Sequence, residues 1–329
     1  MQNKDALFRS TLRTELEAYL CFRNSQGHNV KKERYVFQLL DNYLQECKLY
    51  KKKPVLVSEV VEGWIESLPE TLNVNSRNLY VSYYTMFARY LRSKGTNAFI
   101  PEKSLPDMTY APYIFSKEDL YSLIMAADRR FEVAVKEPLK RNAASFLILL
   151  RMLIGCGFRI NELLSLRTQD VDLEQCLVIV RNAKGGKDRI VPFHDTLSDV
   201  LRVYSKSGIP RADGYFFSSI TGKRLSYSWA RDCFNRLLED IGIEKPELKP
   251  HERNICLHCI RHSYAVAIFQ QLANNGIDVY SEIPILSTYL GHKNIYGTEK
   301  YLHMTASNGT DILKKMADYN RGVFPEVGL

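Results

Sequence analysis

Six side chains that can handle a phosphate ester occur in a fixed order along the second part of the chain. Two guanidinium groups can each meet phosphate oxygens with a planar pair of N–H donors, which suits a phosphorus centre that gathers negative charge as it becomes five-coordinate. A tyrosine at the end of the set can act as an oxygen nucleophile, because a phenol ionises and leaves more readily than an aliphatic alcohol. The set consists of Arg159, Lys184, His258, Arg261, His292 and Tyr301.

The members other than the arginines and the tyrosine can move or donate protons. His258 can take the phenol proton as general base, and Lys184 can protonate the departing sugar oxygen as general acid. His292 is expected to donate to a nonbridging phosphate oxygen, and Glu162 is expected to support the neighbouring Arg159. The sequence therefore predicts a site that breaks and rejoins a phosphodiester, with the tyrosine as nucleophile.

Each of these residues also has an ordinary structural explanation when it is taken singly. Arg159 could form a surface salt bridge with Glu162, and Lys184 could be a solvated residue at the tip of a hairpin. His258 could be an ordinary helix histidine, and Tyr301 is one of 20 tyrosines. Their joint occurrence, in order and in the expected local settings, favours one common site over separate structural roles.

Other chemistries have weaker support in the sequence. A Walker-type glycine loop and a cluster of carboxylates with metal-ligand spacing are both missing, which disfavours an ATPase or a two-metal nuclease. Cys256 and Cys259 form a C-x-x-C with His258 inside it and His262 just beyond, so a metal site is an alternative. A structural zinc site usually needs a second ligand pair, and none follows. We therefore expect no metal ion and no cofactor.

The composition is that of a soluble globular protein with an excess of basic residues. The chain has 329 residues, and 45 Lys and Arg against 37 Asp and Glu give a formal net charge of +8. Both halves share this excess, so both could contact double-stranded DNA. The sequence has no apolar run long enough to cross a bilayer and no signal peptide, and its seven scattered cysteines fit a reducing compartment. We expect a cytoplasmic protein without a membrane partner.

Hydrophobic periodicity predicts the elements that must position the site. Four N-terminal helices precede a segment with three prolines, where no helix could persist, and a mixed region of helices and one β-hairpin follows. The predicted boundaries are residues 1–105 for a helical DNA-binding domain, 106–115 for a linker and 116–329 for a catalytic domain with a C-terminal helix. The predicted helices cover residues 12–23, 35–49, 58–65, 75–92, 116–129, 143–155, 196–204, 227–241, 258–272, 285–290 and 311–319, and the predicted strands 177–180 and 190–193.

Arginines beside aromatic residues are candidates for DNA contact. The fourth helix carries four tyrosines and a phenylalanine together with Arg77, Arg89 and Arg92. Aromatic residues at helical spacing more often fill a core, whereas the arginines could pair with phosphates. Lys187 and Arg189, beside the glycine turn of the hairpin, are two further candidates.

The motifs around the candidate residues resemble those of the tyrosine recombinases, the family of phage integrases and transposon recombinases. Residues 157–163 (GFRINEL) are similar to the first arginine box of that family, and residues 182–187 (NAKGGK) are similar to its lysine hairpin. Residues 258–261 resemble its H-x-x-R box, and residues 290–292 with Tyr301 resemble its last box. The resemblance implies a mainly α-helical fold with a small β-sheet, in which a helical SAM-like core-binding domain precedes a catalytic domain and the two close around duplex DNA.

The resemblance also implies a reaction and an assembly. Tyr301 would form a 3′-phosphotyrosine link and free a 5′-hydroxyl, which then attacks the partner duplex, so the bond energy is conserved without a cofactor. Four protomers would act on two duplexes, for integration, excision or transposition of a mobile element or for resolution of DNA. A type IB topoisomerase and a DNA-binding member that has lost its activity are the alternatives.

Three features leave details of that comparison open. The segment 275–284 looks longer than the usual connection in the family, which affects the expected position of His292. Tyr289 and Tyr296 compete with Tyr301 as nucleophile, although the nine-residue step from His292 favours Tyr301. The predicted helix over residues 311–319 could dock on a neighbouring protomer or pack within its own chain.

Overall fold

The computed structural model describes residues 7–102, 112–181, 188–247, 254–292, 294–299 and 301. The described chain is mainly α-helical and contains a small β-sheet, as the sequence predicts. Contacts divide the chain into two compact units, Met1–Tyr110 and Ala111–Leu329. Within the described ranges, no helix is both long enough and apolar enough to cross a membrane.

Helices packed around one apolar core make up the first unit. Its helices are α1 (Arg13–Ser25), α2 (Lys31–Glu46), α3 (Lys48–Lys52), α4 (Ser58–Glu66) and α5 (Val74–Ser93). Of the four helices predicted for this unit, the second differs most from the structure. It was predicted over residues 35–49, but the observed helix begins at Lys31 and is interrupted at Cys47. The backbone of Cys47 is extended (φ −64°, ψ 108°), so the last predicted turn becomes the separate helix α3.

The aromatic residues of α5 pack into this core rather than facing solvent. Tyr84 and Phe87 are fully buried, and Tyr80, Tyr83 and Tyr90 are half-buried against the same cluster. Since edge-to-face and tilted ring contacts add to the free energy of apolar burial, these residues stabilise the unit. Core packing therefore accounts for the aromatic pattern of this helix.

The three arginines of α5 differ in what they contact. Arg77 is half-buried and donates a hydrogen bond from Nη1 to the carbonyl oxygen of Ile65 (3.1 Å). Arg92 donates from Nε to the carbonyl oxygen of Ala98 (2.7 Å), and its side chain otherwise lies at the surface with that of Arg89. DNA contact by these arginines stays a prediction, and Arg77 has the smallest exposed surface for it.

The second unit is built around α7. Its helices are α6 (Lys117–Glu132), α7 (Glu137–Cys156), α8 (Ile160–Leu164), α9 (Asp195–Lys206), α10 (Tyr227–Asp240), α11 (Leu257–Asn274) and α12 (Val279–Leu290). Helix α7 is buried along most of its second half and packs against α6, α9 and α11. The apolar run at residues 143–155 is thus the centre of the unit, as the sequence predicts.

A three-stranded antiparallel sheet lies beside these helices, in the order β1 (Val171–Asp172), β2 (Leu177–Val180) and β3 (Arg189–Pro192). The register of β2 and β3 pairs Val178 with Val191, so the predicted hairpin is confirmed within one residue. Strand β1 is too short for a recognisable pattern, and the sequence did not predict it. The turn with Lys184 and Lys187 lies outside the described residues.

Helix α12 is longer than the sequence predicts. It begins at Val279 rather than near Ile285, and Asp278 caps it by accepting a hydrogen bond from the backbone N–H of Tyr280 (3.1 Å). Pro284 suggests a helix boundary, but it is tolerated inside the helix, where it removes one backbone hydrogen bond. Much of the segment that looked like a long connection is therefore helical. The predicted helix over residues 311–319 lies outside the described part of the chain.

Candidate active site

Gly157 places the first arginine at the junction between α7 and α8. It ends α7 in the left-handed conformation (φ +63°), and a Cβ at this position would lie 2.4 Å from the ring of Tyr264. Only glycine fits both constraints without strain. The chain then turns so that Arg159 stands at the start of α8 and donates to Glu162 Oε1 and to the carbonyl oxygen of Gly291, each at 2.8 Å.

Arg189 occupies a different place from the one that its sequence neighbourhood suggests. It follows a basic turn, which made it a candidate for DNA contact, but its side chain is only 9% exposed. Its guanidinium group instead donates to both carboxylate oxygens of Glu162 (2.9 and 2.7 Å), and its Nε donates to the carbonyl oxygen of Tyr289 (2.8 Å). The guanidinium group of Arg189, which the sequence suggested for contact with DNA phosphates, is therefore bound by the buried carboxylate of Glu162.

Glu162 therefore joins two arginines that come from distant parts of the sequence. Burial alone would raise the pKa of its carboxyl group, but the hydrogen bonds and charge of Arg189, followed by those of Arg159, outweigh it and lower the pKa to about 2. The carboxylate is ionised at neutral pH and holds Arg159 on one side. This geometry agrees with the supporting role that the sequence predicts for Glu162.

Arg261 is the second arginine of the set, and it lies almost completely within the protein, with 1% of its surface exposed. It extends from α11 and donates to the carbonyl oxygens of Gly157 (2.8 Å) and Leu290 (2.5 Å). Burial, and then the positive charge of Arg159, lower the pKa of its guanidinium group to about 10, so the group stays charged at neutral pH. Its Nε has no hydrogen-bond partner among the described residues.

His292 sits directly against Arg261. The guanidinium Nη2 lies 3.1 Å from Nε2 of His292, and because arginine can only donate, this ring nitrogen accepts. The other ring nitrogen, Nδ1, therefore carries the proton and donates to Oγ1 of the buried Thr298 (2.6 Å). Gly291, in the left-handed conformation, precedes the histidine, and Arg189 packs so closely there that a Cβ would lie 3.0 Å from its Nη1.

Tyr301 reaches the same region from the end of the described chain, but its ring is 1% exposed. It lies in an apolar cluster of α11 and α12, and its hydroxyl group is 2.9 Å from Nδ1 of His262. Burial raises the pKa of the phenol, while the charges of Arg261 and Arg159 oppose that rise. The ring stacks against that of His292 at a centroid distance of 6.2 Å.

Two histidines one turn apart on α11 contact each other beside this phenol. The ring of His258, which the sequence predicts as general base, is exposed and meets the ring of His262 edge-on at 4.5 Å. From the sequence, His262 was interpreted as an ordinary helix histidine or a possible metal ligand, and its contact with Tyr301 was not predicted. A histidine that directly follows the H-x-x-R motif is the only local signal that could have pointed to it.

The competing tyrosines are placed differently. Tyr296 is 70% exposed. Tyr289 is half-buried and stacks on Tyr264, and burial raises the pKa of its phenol. The hydroxyl group of Tyr289 donates to the carbonyl oxygen of Pro192 (3.5 Å), whereas that of Tyr301 lies within reach of the charges of both arginines of the set. Tyr301 therefore differs from Tyr289 and Tyr296 in its proximity to Arg159 and Arg261, and its role as nucleophile stays a prediction.

An open cleft of about 780 Å³ adjoins the arginines. Several cationic side chains line it, which gives it the character of an anion-binding groove. They are Arg159, Arg167, Arg181 and Arg224, and Glu162, Asp170 and His258 also line the cleft. Arg224 is exposed and follows a Gly-Lys pair just before α10; the sequence did not single it out, although a basic turn next to a helix start is a usable signal.

The structure thus pairs Arg159 with Glu162 and Arg261 with His292, and both arginines donate to neighbouring carbonyl oxygens of Leu290 and Gly291. It links Tyr301 and His258 through His262. Lys184 and Lys187 lie outside the described residues. No group of three or more His, Cys, Asp or Glu side chains within the described ranges is arranged to hold a metal ion.

Comparison with known proteins identifies the family of the chain. A profile of the phage integrase family matches residues 115–308, more than half of the chain. The putative integrase/recombinase y4rB of Sinorhizobium fredii is 27% identical over 302 residues, which cover 89% of this chain and 93% of that protein. The tyrosine recombinase XerA of Saccharolobus solfataricus is 33% identical over 171 residues, covering 52% of this chain and 50% of that protein.

Solved structures share the fold. The XerH site-specific recombinase gives a TM-score of 0.64 at 17% identity, covering 92% of this chain and 83% of that one. The Tn1549 transposon integrase gives a TM-score of 0.59 at 17% identity, covering 87% and 94%. The chain belongs to the phage integrase family and is a recombinase of the tyrosine type.

Proposed function

We propose that this protein is a site-specific DNA recombinase in which Tyr301 attacks a DNA phosphodiester and forms a 3′-phosphotyrosine link. One observation carries the proposal: Arg159 and Arg261, which are far apart in sequence, both donate hydrogen bonds to the segment Leu290–His292. A phosphate bound beside that segment would meet two forked cations and an imidazole. These groups stabilise the charge that a five-coordinate phosphorus gathers.

The proton transfers follow from the same arrangement. When the phenol oxygen bonds to phosphorus, the bond to the 5′-oxygen breaks, and that oxygen needs a proton, which we assign to Lys184. We assign His258 as general base for the phenol and His292 as donor to a nonbridging oxygen. For that donation His292 must give up its bond from Arg261 and gain a proton on Nε2, since Nε2 is an acceptor here and the ring proton is on Nδ1. The step consumes no metal ion or nucleotide, because the energy of the phosphodiester is kept in the phosphotyrosine.

Double-stranded DNA is the proposed substrate, and both units are proposed to contact it. The solved relatives support this, since one is a XerH complex with its difH substrate and another is the Tn1549 integrase with a circular intermediate DNA. The basic cleft beside Arg159 would take the scissile strand. We further propose domains at residues 1–105 and 116–329, a tetramer on two duplexes, and integration, excision or transposition of a mobile element as the biological role.

Covalent trapping tests the proposal. Labelled duplex DNA from the flanks of the gene, nicked so that religation is blocked, is incubated with wild type, with Tyr301→Phe and with Tyr296→Phe as the matched control. We expect a denaturation-resistant adduct with wild type and with Tyr296→Phe, and none with Tyr301→Phe, because only the buried phenol lies beside the arginines. Specific binding without an adduct from wild type would instead indicate a DNA-binding protein without activity, and an adduct from Tyr301→Phe would assign the nucleophile elsewhere.

DNA affinity should fall steeply with salt. The cationic lining of the cleft would release counterions from DNA phosphates, so the logarithm of the binding constant should decrease linearly with that of salt concentration. Removing one exposed cation, in Arg224→Gln, should weaken binding of all sequences alike and reduce the slope by about 1. Titration by fluorescence anisotropy at several salt concentrations measures both effects, and affinity that does not change with salt would contradict the prediction.

A further inference from the structure

Two thiols touch each other on the first turn of α11, and the proposed reaction uses neither. Cys256 is the N-cap residue of the helix and Cys259 is its third residue. Their sulfur atoms are 3.9 Å apart, and the backbone N–H of Cys256 donates to Sγ of Cys259 (3.4 Å). Both side chains are reduced thiols. A C-x-x-C pair at a helix start is an arrangement in which thiol chemistry is readily tuned.

The two thiols differ in their access to solvent. Cys256 is partly exposed, whereas Cys259 is completely buried in the core of the second unit. A hydrogen bond with Cys256, together with burial, raises the pKa of the Cys259 thiol, and this sulfur is shielded from solvent. The outer thiol can therefore meet a small oxidant first, while the inner one lies in place to react with its product.

We propose that Cys256 and Cys259 are a redox-active dithiol that a two-electron oxidant such as hydrogen peroxide converts into an intramolecular disulfide. Cys256 attacks the peroxide, the O–O bond breaks, and a sulfenic acid and one water form. Sγ of Cys259 then attacks the oxidised sulfur, its proton leaves with the hydroxyl group as a second water, and the S–S bond forms. The two sulfur atoms must approach by about 2 Å, since an S–S bond is about 2.05 Å long.

A disulfide here would act on the proposed active site through the backbone. His258 lies between the two cysteines, and Arg261 follows Cys259 by two residues on the same helix. Drawing the sulfur atoms together changes the first turn that carries His258. This part rests on the proposed function, and it predicts slower DNA cleavage by the oxidised protein.

The surroundings favour redox chemistry over metal binding at this pair. His262 is the second histidine near the two cysteines, and its Nδ1 forms a hydrogen bond with the hydroxyl group of Tyr301 (2.9 Å). Among the described residues no third ligand completes a cluster that could hold a metal ion. One partly exposed thiol beside one buried thiol gives an oxidant access to Cys256 and keeps Cys259 in place for disulfide formation.

Peptide mapping tests the disulfide independently of DNA. Native protein is treated with increasing hydrogen peroxide, blocked with iodoacetamide, unfolded and digested with trypsin. Cleavage after Arg253 and Arg261 gives the peptide 254–261, which contains both cysteines and no other. We expect this peptide to lose two hydrogens and to recover them with dithiothreitol. If it keeps two blocked thiols at a peroxide dose that oxidises the exposed Cys21, the proposal is overturned.

Suicide-substrate cleavage tests the consequence. Peroxide should slow adduct formation by wild type at least tenfold, and dithiothreitol should restore it. Cys256→Ser keeps a good N-cap residue and should resist peroxide, as should Cys259→Ala, whereas the control Cys233→Ser should respond like wild type. Equal inactivation of Cys256→Ser, or a disulfide without any loss of rate, would remove the link to activity. Absence of an adduct from the reduced protein would concern the proposed function alone, because the peptide map still decides whether the disulfide forms.

Discussion

A lysine in place of Arg261 is expected to slow formation of the covalent protein–DNA link by about 10²–10³-fold, the usual cost of losing one donor aimed at transition-state charge. The guanidinium group spans the carbonyl oxygens of Gly157 and Leu290, and its Nε has no hydrogen-bond partner among the described residues. An ammonium group is a single point of charge and cannot make these contacts together. Rates of adduct formation with saturating DNA measure the effect.

The pH dependence of this variant provides a second readout. The burial that lowers the pKa of Arg261 to about 10 should also lower the pKa of a lysine there, which starts from a lower ordinary value. The substituted ammonium group would then lose charge as the pH rises, so the rate relative to wild type should fall further in alkaline solution. Arg202→Lys, in an exposed pair with Glu174, is the matched control. A rate within threefold of wild type for Arg261→Lys would contradict its assignment as a phosphate ligand.

Replacing Arg189 by methionine is expected to lower the free energy of unfolding by about 3–5 kcal/mol, because it leaves the carboxylate of Glu162 buried with only one of its two arginines. The side chain of Glu162 is 8% exposed, and Arg189 supplies two of its hydrogen bonds. The additional change Glu162→Gln should recover part of the loss, since it removes the uncompensated charge. Urea unfolding followed by circular dichroism measures both variants.

An exposed ion pair and the pH provide the controls. Arg13→Met breaks a pair with Glu17 in which both side chains are 43% exposed, so it should cost less than about 1 kcal/mol. Burial raises the pKa of Glu162, but Arg189 and Arg159 together outweigh it and lower the pKa to about 2, so the ionised carboxylate with its two arginines stabilises the fold above the ordinary pKa of 4.5 and this stabilisation is lost as the pH falls towards 2. At 1.36 kcal/mol per pKa unit, the shift from 4.5 to about 2 corresponds to about 3 kcal/mol of stability. An unfolding free energy of Arg189→Met equal to that of wild type at neutral pH would show that the pair is not a stabilising contact.

Local patterns in the sequence were sufficient for much of the fold. The Ser116 hydroxyl accepts from the backbone N–H of Asp119 and the Asp119 carboxylate accepts from that of Ser116, a capping box whose partners lie within one turn and are therefore readable from the sequence. The apolar run of α7 and the two hairpin strands were likewise predicted correctly. The order of the candidate residues predicted the family, since each motif is short and its chemistry is specific.

Contacts between distant segments could not be predicted in the same way. Arg189 follows a basic turn and looked exposed, and only the folded chain places it against Glu162, 27 positions earlier. The bond from Tyr301 to His262 spans 39 positions without any periodic signal. The sequence shows which residues have suitable chemistry, whereas only the folded chain shows which of them are buried.

With Tyr301 as the proposed nucleophile, its burial in the core sets an energetic threshold for DNA cleavage. Removing an aromatic ring from an apolar cluster costs about 1.5–3 kcal/mol, and losing its hydrogen bond costs about 1 kcal/mol more. At 1.4 kcal/mol per tenfold change in population, the exposed phenol would be present in about one free molecule in a hundred or a thousand. A DNA site can be cleaved efficiently only if it stabilises that rare conformer. DNA sequences that bind the protein without stabilising this conformer would not be cleaved. Discrimination among DNA sites would then depend on release of Tyr301 from the core as well as on binding affinity.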